Sequence, residues 1–157
     1  MKKILIALDY EPAAQKVAES GHELAKSLNA ETILLHVVAD ATYYSSLNYS
    51  PIMGFGGFNS IDAIQTDTEL NLTNTAQSFL DKTKYHLGDD KINTVVSSGS
   101  FSEAILLAAS EQGADIIVIG NRSRHGLGKM LFGSVADNVL HHSSIPLFIV
   151  PVADPKN

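Results

Sequence analysis

A parallel α/β sheet is predicted by three observations: five short apolar runs, a helical period between each pair, and a cationic glycine-rich loop after the fourth run. The apolar runs are Ile4 to Leu8, Thr32 to Val38, Ile92 to Ser97, Asp115 to Ile119 and Pro146 to Val150. Most lack the apolar–polar alternation of a strand with one wet face, so they read as strands covered on both sides by helices. Strict alternation of strand and helix gives parallel strands joined by right-handed crossovers.

The first helix is expected from Pro12, with Val17, Gly21, Leu24, Ala25 and Leu28 recurring at helical spacing. A loop from about residue 40 to 60 follows the second strand, rich in Gly, Ser and Asn and carrying Tyr43, Tyr44, Tyr49, Met53, Phe55 and Phe58. A long polar helical stretch from Ile61 to Leu87 comes next, with Leu72, Ala76, Phe79, Leu80 and Thr83 as its inner face. A short apolar helix from Ser102 runs to Gly113, and the last helix spans Gly133 to His142.

Composition narrows the function. A chain of 157 residues that is 45% hydrophobic is long enough for one domain with a buried core. A formal net charge of −6 argues against a nucleic-acid surface. Without cysteine there is no disulfide framework, thiolate chemistry or Cys-based metal site. The apolar run after Met1-Lys2-Lys3 stops at Asp9, too soon for a signal peptide or a membrane span, so a soluble cytoplasmic protein is expected. Six histidines show no H-E-x-x-H spacing, and no dedicated metal site is expected.

The loop between Gly120 and Gly133 interrupts this acidic background. Arg122, Arg124, His125 and Lys129 cluster there with Gly126 and Gly128, just before a helix that opens at Gly133-Ser134. A helix start offers free N–H groups and the positive end of its dipole, and glycines let backbone approach an anion. A phosphate would take the N–H groups of Gly133, Ser134 and Val135 and the Ser134 hydroxyl. The plainer alternative is a surface loop whose Gly133-Ser134 caps a helix, with Asp137 completing an S-x-x-D box. Other phosphate motifs fit poorly. Met130 follows Gly128-Lys129 where a Walker loop needs Ser or Thr, and Leu131 stands where a dinucleotide fingerprint needs its third glycine.

One pattern does fit: G-x2-G-x9-G-S/T, present as Gly120-x2-Ser123-x9-Gly133-Ser134 and followed by Val135-Ala136 and the terminal Ser144-Ile145-Pro146-Leu147-Phe148-Ile149-Val150-Pro151. In these segments the chain resembles the universal stress protein family, with Ser123 replacing one motif glycine. The resemblance spans a single domain, residues 1–152, with a variable loop near 40–60 and a tail at 153–157. It implies a Rossmann-like five-stranded sheet of order 3-2-1-4-5, whose switch point sets Asp9 beside Gly120.

It further implies ATP as ligand, with Mg²⁺ only as carried by the nucleotide. Asp9 matches the acid placed against the adenosine, Ala7 and Leu8 line the same wall, and Val37 contacts adenine while His36 is structural. Ile119-Gly120 would lie against the ribose or α-phosphate, and Arg122, Arg124 and Lys129 would neutralise the outer phosphates. At ordinary φ the Ser123 hydroxyl would donate to a phosphate; at positive φ it would be strained. The strand Pro146 to Val150 is expected at the sheet edge, and the resemblance implies its pairing with a second copy in a homodimer.

The function these expectations converge on is a nucleotide-regulated stress-response module acting on an unidentified protein partner. No nucleophile–base arrangement or pair of catalytic carboxylates is recognisable, so catalytic residues are not assigned and any ATP hydrolysis would be slow. The alternatives are a stress protein that works through its dimer surface without nucleotide, and, further off, an enzyme of adenine nucleotides.

Overall fold

The structure, a computed structural model, describes residues 1–39, 68–122 and 133–152. Its strands are β1 (Lys3–Ala7), β2 (Glu31–Val38), β3 (Asn93–Ser98), β4 (Ile116–Arg122) and β5 (Leu147–Val152). They form one sheet of order β3-β2-β1-β4-β5 in which every neighbouring pair is parallel. The helices described are α1 (Ala14–Ser27), α2 (Thr68–Leu87), α3 (Phe101–Gln112) and α4 (Ser134–His142). The order expected from the family resemblance is the order observed.

Period-two geometry divides the apolar strands between two faces. Ile4, Ile6, Leu34 and Val118 meet Val17, Ala18 and Ala25 of α1 and Leu80 of α2. On the other face Leu5, Leu35, Val37, Ile117 and Ile119 meet Ala104, Ile105 and Ala108 of α3 and Ala136 and Val139 of α4. Burying each large aliphatic side chain contributes about 1.5–3 kcal/mol, so these two layers drive the collapse. The small residues facing the sheet from α1, α3 and α4 let those helices lie close to it.

Some boundaries differ from those expected. Pro12 sits in a turn before α1, which begins at Ala14, whose N–H reaches the Glu11 carbonyl at 2.9 Å. Asn29, at φ 54°, ends α1 in the left-handed region that Asn tolerates, and Glu31 N–H then bonds to the Lys2 carbonyl to start β2. β4 runs past Gly120 to Arg122 because β5 continues alongside it, with Asn121 opposite Pro151 and Arg122 opposite Val152. Pro151 is tolerated because β5 is an edge strand and one side of it needs no ladder donor. Residues 61–67 of the expected second helix and the aromatic loop at 40–60 lie outside the described residues.

Two glycines set how closely α1 approaches the sheet. A Cβ on Gly21 of α1 would come within 2.6 Å of Ile6 Cδ1 on β1. A Cβ on Gly120 of β4 would come within 2.7 Å of Val17 Cγ2 on α1. Neither glycine has positive φ, so each is required for space rather than conformation. Gly120→Ala is therefore expected to destabilise the fold by about 1–3 kcal/mol through overpacking. Urea denaturation should show a smaller loss when Gly120→Ala is made in a Val17→Ala background; equal losses in both backgrounds would contradict this packing.

Candidate functional site

Strands β1 and β4 pair with Ile4 opposite Ile116 and Ile6 opposite Val118. They adjoin in the sheet although the chain connects β1 to β2 and β4 to β5. The crossovers after β1 and β4 depart in different directions, so their carboxyl ends leave an opening. Ala7, Val37 and Ile119 all belong to the α3/α4 face. Three residues expected at the site are thereby brought to one side of the sheet. Leu8 and Asp9 continue from β1; the Leu8 N–H bonds to the Leu35 carbonyl at 2.8 Å, and Asp9 is exposed. Asp9 Oδ1 accepts the Glu11 N–H at 3.0 Å, bracing the turn into α1.

At the other wall, α4 begins without a side-chain cap. Its N-cap is Gly133, in extended conformation at φ −63° and ψ 155°. The first intrahelical bond runs from Asp137 N–H to the Gly133 carbonyl, at 2.9 Å. The N–H groups of Ser134, Val135 and Ala136 precede it, and no described group accepts from them. The S-x-x-D box does not form: the Asp137 carboxylate lies 3.4 Å from His141 instead. A Cβ built on Gly133 meets nothing within 4 Å, so the space before these donors is open to described atoms. Three converging donors and the helix dipole suit an anion.

The Gly133 N–H is not one of those donors, although the sequence suggested it. It donates to Oδ1 of Asn121 at 2.9 Å, across twelve positions of chain. Asn121 is 3% exposed, on the last turn of the β4 ladder. Alternation along β4 carries it to the face of Ile117 and Ile119, the side on which α4 lies. Sequence reasoning missed this residue because it fills a variable position of the motif. Its only signal was a polar side chain directly continuing a fully apolar strand.

Gly120 is placed on the other face, where its lack of a Cβ accommodates Val17. The backbone of Arg122 closes β4. Ser123, Gly126 and Lys129 lie outside the described residues, as do Arg124, His125 and Gly128. Among the described residues no group of three or more His, Cys, Asp or Glu side chains could hold a metal, and no helix is long and apolar enough to cross a membrane.

Comparison with known proteins agrees with this architecture. The model of the universal stress protein family matches residues 1–151. The chain belongs to the universal stress protein family. Universal stress protein MJ0577 of Methanocaldococcus jannaschii is 31% identical over 153 residues, covering 95% of this chain and 94% of the relative. Universal stress protein YxiE of Bacillus subtilis is 29% identical over 154 residues, with 94% and 97% covered. The solved structure of MJ0577 superposes with a TM-score of 0.71 at 26% identity, covering 98% and 97% of the two chains. A universal stress protein solved in complex with cAMP superposes at 0.59 and 20% identity, with 95% of each chain covered, a likeness of fold.

Within this universal stress protein domain, His36 supports the β1 end of the site. Its Nδ1 donates to the Leu8 carbonyl at 2.8 Å, which leaves Nε2 as the unprotonated nitrogen of the neutral ring. The ring packs against Tyr10 at 4.2 Å and Phe79 at 5.6 Å between centroids, joining the β1–α1 turn to α2. Burial pushes the imidazole pKa down to about 4, and the Leu8 bond opposes that only in part. The structural role expected of His36 is the role it plays here.

The sign of the resulting pH dependence follows. As pH falls from about 6.5 the unfolded chain takes up a proton at His36 before the folded protein does, so stability drops until about pH 4 and then levels. The difference amounts to about 3 kcal/mol. Denaturation of the parent and of His36→Gln, whose amide can still donate to Leu8, checks this. The parent should lose about 3 kcal/mol more than the variant between about pH 7.5 and about pH 4; parallel losses would contradict it.

Proposed function

We propose that this universal stress protein binds ATP at the carboxyl ends of β1 and β4 and regulates a protein partner according to nucleotide occupancy. The observation that carries the proposal is the uncapped start of α4, where the N–H groups of Ser134, Val135 and Ala136 have no acceptor among the described residues and a Cβ on Gly133 would meet no described atom within 4 Å. Those donors suit a phosphate. Ala7, partly exposed, and the buried Val37 and Ile119 lie on the same face of the sheet and would form the apolar floor beneath the base. Asp9, exposed at the end of β1, would recognise a ribose hydroxyl. A universal stress protein of the same fold has been solved in complex with cAMP, an adenine nucleotide.

Arg122, Ser123, Gly126 and Lys129 complete the proposed phosphate loop on sequence grounds, with Mg²⁺ brought by the nucleotide. No step of bond cleavage is assigned. Binding ATP stabilises whichever conformation holds it better and thereby shifts contacts with a partner. The proposed assembly is a cytoplasmic homodimer formed along β5, an edge strand on which Phe148 is 38% exposed. Pairing two such edges would cover apolar surface and unpaired backbone together.

Calorimetric titration with Mg-ATP of the parent and of Gly133→Val tests the site. The backbone angles at Gly133 suit any residue and its Cβ would meet no described atom within 4 Å, so the variant should fold. Valine would then occupy the place proposed for phosphate. Micromolar binding in the parent that falls at least about a hundredfold in the variant is the expected outcome. A folded parent giving no heat at millimolar ATP would overturn the nucleotide reading in favour of function through the dimer surface alone.

A further inference from the structure

The geometry points to Asn121 as a phosphate-side ligand and positioning residue of the nucleotide site, an inference that rests on the ATP reading above. Its side-chain amide has two ends with opposite chemistry. Only Oδ1 can accept, and it is committed to the Gly133 N–H at 2.9 Å. That bond fixes the orientation of the amide and leaves Nδ2 with both its protons to place. No described group accepts from Nδ2, although the residue is only 3% exposed.

A buried amide with idle donors is costly unless a partner arrives. Among the described residues the one side-chain polar atom both fully enclosed and unpartnered is His36 Nε2, so Asn121 Nδ2 retains a path to the surface. The amide stands beside Gly133, where an added Cβ would meet no described atom within 4 Å. The amide is therefore held at the helix start, where the N–H groups of Ser134, Val135 and Ala136 have no acceptor among the described residues. The ligand chemistry that satisfies all four donors is an anionic oxygen acceptor, the α- or β-phosphate of the nucleotide.

Oδ1 performs the second task. By tying the end of β4 to the N-cap of α4 it fixes the distance between the two walls before any ligand binds. It also removes the Gly133 N–H from the donor set, so the phosphate is addressed by the helix interior rather than by its cap. A preformed array avoids the ordering cost that a loose loop would impose on binding.

Two substitutions separate these tasks. Asn121→Asp keeps an acceptor oxygen on the Gly133 N–H but replaces the Nδ2 donor with an oxygen that repels phosphate. Asn121→Ala removes both. Binding of ATP and of adenosine to the parent and each variant is measured by calorimetry, and folding by thermal melting. Asn121→Asp should melt within a few degrees of the parent, bind ATP more than about tenfold more weakly, and bind adenosine within about twofold of the parent. Asn121→Ala should melt lower and also lose ATP affinity selectively.

A purely structural Asn121 predicts instead that the Asp variant binds ATP like the parent, or that ATP and adenosine weaken together; either result overturns the inference. A parent that binds neither compound defeats the nucleotide reading itself, and this role with it. A parent that binds ATP while both variants bind it equally well defeats this role alone.

Discussion

The pairing of β1 with β4 is the contact on which the rest of the molecule depends. These strands are separated by more than a hundred residues, yet their ladder of Ile4–Ile116, Leu5–Ile117 and Ile6–Val118 forms the middle of the sheet. Helix α1 lies against both strands, and it can do so because Gly21 and Gly120 remove the two Cβ atoms that would hold it away. A slightly raised α1 would shift the turn at Asp9 and Tyr10, and with it one wall of the site. Packing in the core thus sets the geometry of a surface opening some residues further along each strand.

Polar groups at that opening are distributed with the same economy. His36 is kept neutral by burial and spends its one N–H on Leu8, steadying the β1 end beneath the rings of Tyr10 and Phe79. Asn121 steadies the β4 end by holding Gly133. Both residues sit on central strands where a bare polar group would be unfavourable, so each must have its hydrogen bond satisfied for the fold to be stable. At the start of α4, by contrast, three backbone N–H groups have no acceptor among the described residues. An opening whose walls are tied down and whose donors are idle is prepared for an anion.

The fold was legible because its strands announce themselves: Ile4-Leu5-Ile6 and Ile116-Ile117-Val118-Ile119 have few structural alternatives once helical periods flank them. Strand order was different in kind. Nothing in the spacing says that β4 adjoins β1, and the order came from the resemblance carried by Gly133-Ser134 and its neighbours. Gly120 has a packing purpose that its place in the motif does not announce. It reads as a loop glycine beside a ligand, but β4 continues through it and its open side faces Val17. Asn121 was illegible for a related reason, since a hydrogen bond across twelve positions leaves no local pattern. The end of β4 at Arg122 depended on β5, whose run past Pro151 the apolar pattern did not extend to.

Amide chemical shifts followed by ¹H–¹⁵N correlation spectra, during parallel titrations with ATP and with adenosine, test the central claim most directly. Binding of phosphate at the uncapped helix start predicts large ATP-dependent shifts at Ser134, Val135 and Ala136, whose N–H groups have no acceptor among the described residues. Adenosine should perturb Val37 and Ile119 but leave those three amides nearly unchanged. Saturating ATP that moves none of the three would contradict the account, because the phosphate would then lie away from α4.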